Sequence, residues 1–169
     1  MSVLPIADAA FYKLADIRPE YLTRRGIRLL ILDIDNTLSP YGTEEPTDEI
    51  KAWVSDMKSA GIKLFFVSNN HGERPSIFSE KLGIPYIKSA AKPSKRGALE
   101  AMEQCSCTEN ETALVGDQSY TDVLCAKRCG MTAILVRPIS LKNPLLAIRY
   151  FFELPFRIAA KEKHGRCKR

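Results

Sequence analysis

Apolar runs of four or five residues recur along the middle of the chain, and each is followed by a stretch with helical periodicity. Leu29-Leu30-Ile31-Leu32, Lys63-Leu64-Phe65-Phe66-Val67, Thr112-Ala113-Leu114-Val115 and Thr132 to Val136 have the length and continuity of strands buried on both faces. Between them, Pro46 to Ala60 carries Ile50, Trp53, Val54 and Met57 at i, i+3, i+4 and i+7, one apolar stripe of a helix stopped by Gly61. Glu73 to Leu82, with Ile77 and Phe78 inward, reads as a second helix. Ser94 to Gln104, with Ala98, Leu99 and Met102 inward, reads as a third, and Tyr120 to Cys129 as a fourth. Ile84-Pro85-Tyr86-Ile87 is a short strand whose proline places it near an edge. The alternation predicts an α/β fold: a Rossmann-like parallel sheet with helices on both faces.

The termini read differently. Asp8 to Ile17 is expected to form a short amphipathic helix, capped by Asp8, with Phe11, Leu14 and Ala15 on one face. At the other end, Asn143-Pro144 is a helix start, a capping residue followed by proline at the first position. The following segment holds Leu145, Leu146, Ile148, Tyr150, Phe151, Phe152, Leu154, Phe156 and Ile158, interrupted by Arg149, Glu153 and Pro155. It is too apolar for a solvated tail and too broken for a membrane span. The expected division is therefore a domain over residues 1–140 and an apolar, basic C-terminal helix and tail over residues 141–169. That tail packs on the domain or lies at an interface.

At 169 residues, with 45% apolar and 27% charged positions, the chain can bury one sizeable core. The net charge of +5 is unevenly placed. From Leu141 to Arg169 there are eight Lys/Arg against two Glu, a local +6, so the remainder is nearly neutral. That asymmetry suits an anionic partner surface or a solubilising tail. No aromatic–basic interleaving marks a nucleic-acid module. The first twenty residues lack a signal-peptide pattern, which makes a cytoplasmic location the expectation. Five cysteines, Cys105, Cys107, Cys125, Cys129 and Cys167, without a CxxC pair, read as reduced thiols rather than a zinc site. His71 and His164 are isolated and do not look like ligands.

The chemistry lies where the strands end. Asp33-Ile34-Asp35-Asn36-Thr37-Leu38 follows the first buried run. Two acids there are costly unless a cation or a hydrogen-bond network compensates them. Ser68-Asn69-Asn70 closes the second run, Lys92 sits in the loop after the short strand, and Gly116-Asp117 with Asp122 follows Thr112 to Val115. Each of these has an ordinary explanation alone; together, at the mouths of successive parallel strands, they mark a phosphoryl-transfer site.

This four-part pattern resembles the signature motifs of the haloacid dehalogenase (HAD) superfamily over roughly Arg28 to Val136. In detail it is similar to the YqeG-type phosphatases of subfamily IIIA, a group related to phosphatidylglycerophosphate phosphatases. The resemblance implies a nucleophile at Asp33 and a general acid and base at Asp35. It implies phosphate binding by Ser68, Asn69 and Lys92, support from Thr37 and Asp122, and a Mg²⁺ held by Asp33, the Asp35 backbone carbonyl and Asp117.

The spacing adds a statement about access. Thirty-two residues separate Asp35 from Ser68 and twenty-three separate Ser68 from Lys92. One helix and one strand fill each gap, so neither holds a cap domain. An open site accepts a phosphate on something large, and phosphatidylglycerophosphate is the first candidate substrate. A phosphoprotein or soluble phosphometabolite is the enzymatic alternative, and a non-catalytic HAD-fold scaffold is the alternative of another class. The expected partners are the phosphorylated substrate, a membrane surface met peripherally through residues 143–163, and a second copy of the chain. A cytoplasmic protein at the membrane periphery fits both this contact and the absence of a span.

Overall fold

The computed structural model of the chain describes residues 3–164. Cys167 and the basic residues Arg166, Lys168 and Arg169 lie outside the described residues. The elements are β1 (Ala9–Phe11), α1 (Pro19–Thr23), β2 (Leu29–Leu32), α2 (Asp48–Ser59), β3 (Lys63–Val67), α3 (Arg74–Leu82) and β4 (Tyr86–Ile87). They continue with α4 (Arg96–Cys105), β5 (Thr112–Gly116), α5 (Leu124–Cys129), β6 (Thr132–Val136), α6 (Pro144–Ile158) and β7 (Glu162–Lys163).

All strands pair parallel in one sheet of order β4-β3-β2-β5-β6-β1-β7. The two faces of each strand feed two cores, as the period of two requires. Leu30, Leu32, Leu64, Phe66 and Val115 pack with Ile50, Trp53, Val54 and Met57 of α2 and with Phe78 and Leu82 of α3. Leu29, Ile31, Phe65, Leu114 and Ala133 pack with Ala98, Ala101 and Met102 of α4 and with Cys125 and Ala126 of α5. The inward stripe of α4 thus includes Ala101, while Leu99, expected inward, is exposed. After β2 the chain builds outward through β3 and β4, then crosses back to lay β5 and β6 on the other side. The β2–β5 junction is therefore the switch point where parallel sheets open a ligand crevice.

The N-terminal expectation was wrong. Ala9–Phe11 is a strand, pairing with β6 from Ala9↔Ile134 to Phe11↔Val136, and only Leu14–Asp16 forms a 3-10 turn. Ala9 and Phe11 alternate inward, a period-two signal too short to outweigh a helical stripe. Asp8 caps no helix: its carboxylate accepts from the Ala133 N–H at 2.9 Å and pairs with Lys127 and Lys161. The fourth helix also begins later than expected, since Ser119–Val123 is a π-helical turn and α5 proper starts at Leu124.

The chain beyond residue 141 rejoins the sheet. Asn143 caps α6 through its side chain, which accepts from the Leu145 N–H at 2.9 Å. The helix runs through Pro155 to Ile158, and β7 then pairs with β1 at the sheet edge. Among the described residues no cap is inserted between β2 and α2 or between β3 and α3, and no helix is long and apolar enough to cross a membrane.

Candidate active site

The loop after β2 is shaped by its own residues. The Asp33 N–H still bonds to Val115 O at 3.0 Å, keeping the first acid in the sheet's register. The chain then turns: Asn36 adopts a left-handed φ of 64°, a region asparagine tolerates better than most residues. The Asn36 side chain is tied to the loop after β6, donating to Ser140 O at 2.8 Å and accepting from the Ser140 N–H at 2.8 Å. This turn carries Asp35 out of the strand, so the two carboxylates of one motif face different partners.

Asp33, Asp117 and Asp122 form the one cluster of potential metal-ligating groups found among the described residues, with ligand atoms within 4.8 Å of one another. Lys92 lies against it, its Nζ 2.6 Å from Asp33 Oδ1 and 2.7 Å from Asp122 Oδ1. All four side chains are buried. Asp122 is further held by the Gln118 N–H at 3.1 Å. It approaches the chain at Gly116 so closely that a Cβ there would lie 2.2 Å from the Asp122 carboxylate, which excludes any side chain from the Gly-Asp step.

Burial pushes the Asp33 carboxyl up to about 7, with Asp122 and Asp35 adding to the rise and Lys92 opposing it. Burial likewise pushes Asp117 up to about 8, reinforced by Asp33 and Asp122. Burial works against the Lys92 ammonium as well. The Asp122 and Asp33 carboxylates more than offset it, so the lysine is raised above its ordinary value and stays charged. Lys92 is thus shared by Asp33 and Asp122, while Arg149 and Arg157 only partly oppose the rise of Asp117. Asp33 Oδ2 and Asp117 Oδ2 have no hydrogen-bond partner. Thr37 Oγ1 donates to the other Asp117 oxygen at 3.4 Å. Two carboxylate oxygens that accept no hydrogen bond, in a buried cluster of three acids, are the donor set a hard divalent cation takes, so the residues fit such an ion.

Asp35 stands apart from this cluster. Its Oδ1 is 2.8 Å from Arg74 Nε and its Oδ2 accepts from Asn70 Nδ2 at 2.9 Å. Arg74 also donates to the carbonyls of Thr43 and, at 2.6 Å, Pro40, and it stacks over Phe78. It therefore fixes the second acid and the loop behind it as one unit. Ser68 is buried and lines the same cleft as Asp33, its Oγ accepting from the Asn70 N–H at 3.1 Å. Asn69 lines the same cleft, and its side chain is tied to the Lys92 backbone. Its Oδ1 accepts from the Lys92 N–H at 2.7 Å and its Nδ2 donates to Lys92 O at 3.0 Å, so it positions the lysine.

These groups open on a cleft of about 270 Å³ lined by Asp33, Asp35, Tyr41, Ser68, Lys92 and Thr121, among others. Burial, then Asp117, Asp35 and Asp33, push the Tyr41 phenol up to about 12, so it is a neutral donor there. The structure brings Asp33, Asp35, Thr37, Ser68, Asn69, Lys92, Asp117 and Asp122, all singled out in the sequence, to one place. Sequence reasoning missed Arg74 and Tyr41, which carry no motif. It also missed the inner face of α6, where Arg149, Glu153 and Arg157 recur every fourth residue, a ladder legible in the sequence. Arg157 donates to Asp117 O and, at 3.2 Å, to Val136 O. Arg149 Nη2 lies 3.8 Å from Asp117 Oδ2.

Comparison with known proteins agrees with this geometry. A family model described as HAD-hydrolase-like matches residues 89–138, the stretch that holds Lys92, Asp117 and Asp122. The Bacillus subtilis protein named "Probable phosphatase YqeG" is 39% identical over 124 residues, 73% of this chain and 72% of that protein. The chloroplastic phosphatidylglycerophosphate phosphatase 1 of Chlamydomonas reinhardtii is 27% identical over 70% of this chain, which spans about half (48%) of that relative's length. Among solved structures, the cobalt-bound deoxy-D-mannose-octulosonate 8-phosphate phosphatase of Haemophilus influenzae shares the fold. Its TM-score is 0.57 at 16% identity, covering 83% of this chain and 79% of that one.

Proposed function

The chain belongs to the HAD-like hydrolase family, among the YqeG-type phosphatases, and on that premise we propose that it hydrolyses phosphomonoesters through an aspartyl-phosphate on Asp33, with Mg²⁺ as its ion and phosphatidylglycerophosphate as its substrate. The observation that carries this reading is the acid cluster: three buried carboxylates meet in one pocket, Lys92 pairs with two of them, and Asp33 Oδ2 and Asp117 Oδ2 accept no hydrogen bond. A scaffold has no use for so costly an arrangement.

Asp33 and Asp117 would hold the ion through their carboxylates, with the Asp35 carbonyl beside them and Asp122 behind. The ion would supply the positive charge that lets an anionic nucleophile meet an anionic phosphate. A carboxylate oxygen of Asp33 forms the bond to phosphorus as the ester P–O bond breaks, and Asp35 gives its proton to the leaving oxygen. In the second half Asp35 takes a proton from water. That water attacks phosphorus, the acyl-phosphate bond breaks, inorganic phosphate leaves and the Asp33 carboxylate is restored. Ser68 Oγ donates to a phosphoryl oxygen, and Lys92 balances charge on the phosphoryl group in flight. The lipid substrate is supported by the likeness to the algal enzyme and by a cleft that no inserted domain covers.

Arg74 makes this proposal testable at a distance from the phosphate. Arg74→Ala frees Asp35 and the 39–43 loop, and is expected to lower kcat about tenfold to a hundredfold with little change in KM. Arg74→Lys, which cannot span Asp35 and two carbonyls at once, should recover only part of that loss. Steady-state kinetics in which KM rises while kcat holds would assign Arg74 to substrate binding instead.

The test of the function itself is phosphate release from phosphatidylglycerophosphate in mixed micelles, with Mg²⁺ and with chelator, alongside an aryl phosphate. Metal-dependent release from the lipid is the expected result. Cleavage of the aryl phosphate alone would move the substrate to phosphoproteins or soluble phosphometabolites. Release from neither would leave the scaffold.

A further inference from the structure

We propose that Arg149, together with the Tyr41 hydroxyl, binds a second anionic group on the substrate's alcohol, so that the site selects phosphomonoesters whose leaving group already carries a negative charge. The inference rests on the phosphatase reading and names the feature of the alcohol that the site recognises. It starts from the two arginines of the α6 ladder, which are spent differently. Arg157 is consumed by the fold. It donates to the carbonyls of Asp117 and, at 3.2 Å, Val136, lies 3.4 Å from Glu153 Oε2 and stacks over Tyr150. These bonds pin α6 across the carboxyl ends of β5 and β6. Arg149, about two turns earlier on the same face, reaches acids only at 3.8 Å, Asp117 Oδ2 and Glu153 Oε1, beyond hydrogen-bond distance. Its Nε has no hydrogen-bond partner, and its side chain is 32% exposed. A guanidinium offers five donors in a fixed fork. Here the fork is held beside the acid cluster, in contact with solvent, with those donors largely unspent.

Tyr41 supplies a second donor. It lines the cleft and is exposed. Its loop is clamped on both sides, because Arg74 donates to the carbonyls of Ser39, Pro40 and Thr43. The phenol, pushed up to about 12, keeps its proton. Asp117, Asp35 and Asp33 contribute to that rise and Arg149 opposes it, so the tyrosine and the arginine act on the same mouth.

The acids nearby are committed elsewhere. Asp33 and Asp122 pair with Lys92, and Asp35 is held by Arg74 and Asn70. Glu153 is buried against Arg157 and the backbone of Ser119 and Tyr120. Asp117 alone is left facing Arg149 at the cleft, and it is one of the two acids assigned to the ion. A neutral alcohol leaves the fork and the phenol unanswered, and a site built round polar donors discriminates against a partner that cannot pair with them. A phosphodiester or a second phosphate matches the guanidinium fork.

The test is steady-state kinetics of the full chain with Mg²⁺ on three soluble substrates. Glycerol 1-phosphate has a neutral alcohol. Glycerophosphoglycerol phosphate, a deacylated lipid headgroup, carries a phosphodiester on its alcohol, and fructose 1,6-bisphosphate carries a second phosphate. The wild type should favour a doubly anionic substrate over glycerol 1-phosphate in kcat/KM. Preference for the headgroup places the second anion in a lipid, and preference for the bisphosphate places it in a soluble metabolite. Arg149→Met should cut that preference by about tenfold to a hundredfold, chiefly through KM, and Arg149→Lys should restore part of it. Tyr41→Phe, a change at an exposed ring that leaves the fold alone, should cut it less. Equal losses on all three substrates would overturn the inference, make Arg149 a counter-charge to Asp117 and leave the phosphatase reading standing. A wild type that favours neither doubly anionic substrate would overturn it as well. Hydrolysis of none of the three, nor of an aryl phosphate, would remove the phosphatase reading and this inference with it.

Discussion

Asp33→Asn is expected to abolish turnover, by on the order of 10⁴-fold or more, in a protein that folds as well as the wild type. The size of the loss follows from the role. Asparagine keeps the shape and the contact with Lys92 but offers phosphorus no anionic oxygen, and no other carboxylate can take over. Asp35 is turned toward Arg74 and Asn70, while Asp117 and Asp122 are held by Thr37, Gln118 and Lys92. The fold is spared because the wild-type carboxylate is a burden there, pushed up to about 7 chiefly by burial. A buried acid raised in the folded state contributes stability below its unfolded value near 3.8 and loses it as the pH climbs through 7. In chelator at pH 8, Asp33→Asn should therefore melt at or above the wild-type temperature. Acid-quenched reactions with a labelled phosphate ester supply the second readout, since label should stay on the wild-type chain and be absent from the variant. Residual turnover within tenfold of wild type would remove Asp33 as nucleophile.

How much of this was legible in the sequence depended on the range of the interaction. β2, β3, β5 and β6 were readable because each is a continuous apolar run, and a strand buried on both faces leaves no other reading. The acids were readable because their cost demands a reason. β1 was misread because three residues pairing with β6, more than a hundred positions away, carry too little local pattern to overrule a helical stripe. β7, two residues long and exposed, carries none. Arg74 illustrates the same limit at the site. Its partners Asp35, Pro40 and Thr43 lie more than thirty positions away and become neighbours only when α3 packs on the sheet. The apolar residues of α6 were noted, but sequence alone left open whether they pack on the domain or lie at an interface. That they face outward is decided by the Glu153–Arg157 network, whose destination beside Asp117 exists only in the folded sheet.

Lys92→Met separates charge compensation from packing more sharply than any other substitution. The lysine is 2% exposed, with Asp33 and Asp122 both within hydrogen-bond distance of its Nζ. Methionine fills most of the volume and removes the positive charge, leaving buried carboxylates unpaired, a change that typically costs about 3–5 kcal/mol. The pH dependence gives the cause away. Asp33 at about 7 and Asp117 at about 8 already resist ionising in the folded protein, and losing Lys92 raises Asp33 further. Folded-state protonation relieves the unpaired acid at low pH and is withdrawn as the pH rises, so the deficit in urea denaturation with chelator should be smaller at pH 5 than at pH 8. Lys92 itself, raised above its ordinary value, remains charged through this window and adds no slope of its own. Adding Asp33→Asn to Lys92→Met removes the charge that lost its partner, so the double variant should be more stable than Lys92→Met alone, a coupling that packing cannot mimic. Equal losses at both pH values, with no rescue by the second substitution, would mean that the lysine stem, and not its charge, holds the site together. If the charge is what matters, adding Mg²⁺ should recover part of the stability at pH 8, because a cation between Asp33 and Asp117 relieves the same excess of buried negative charge that Lys92 offsets in the intact protein.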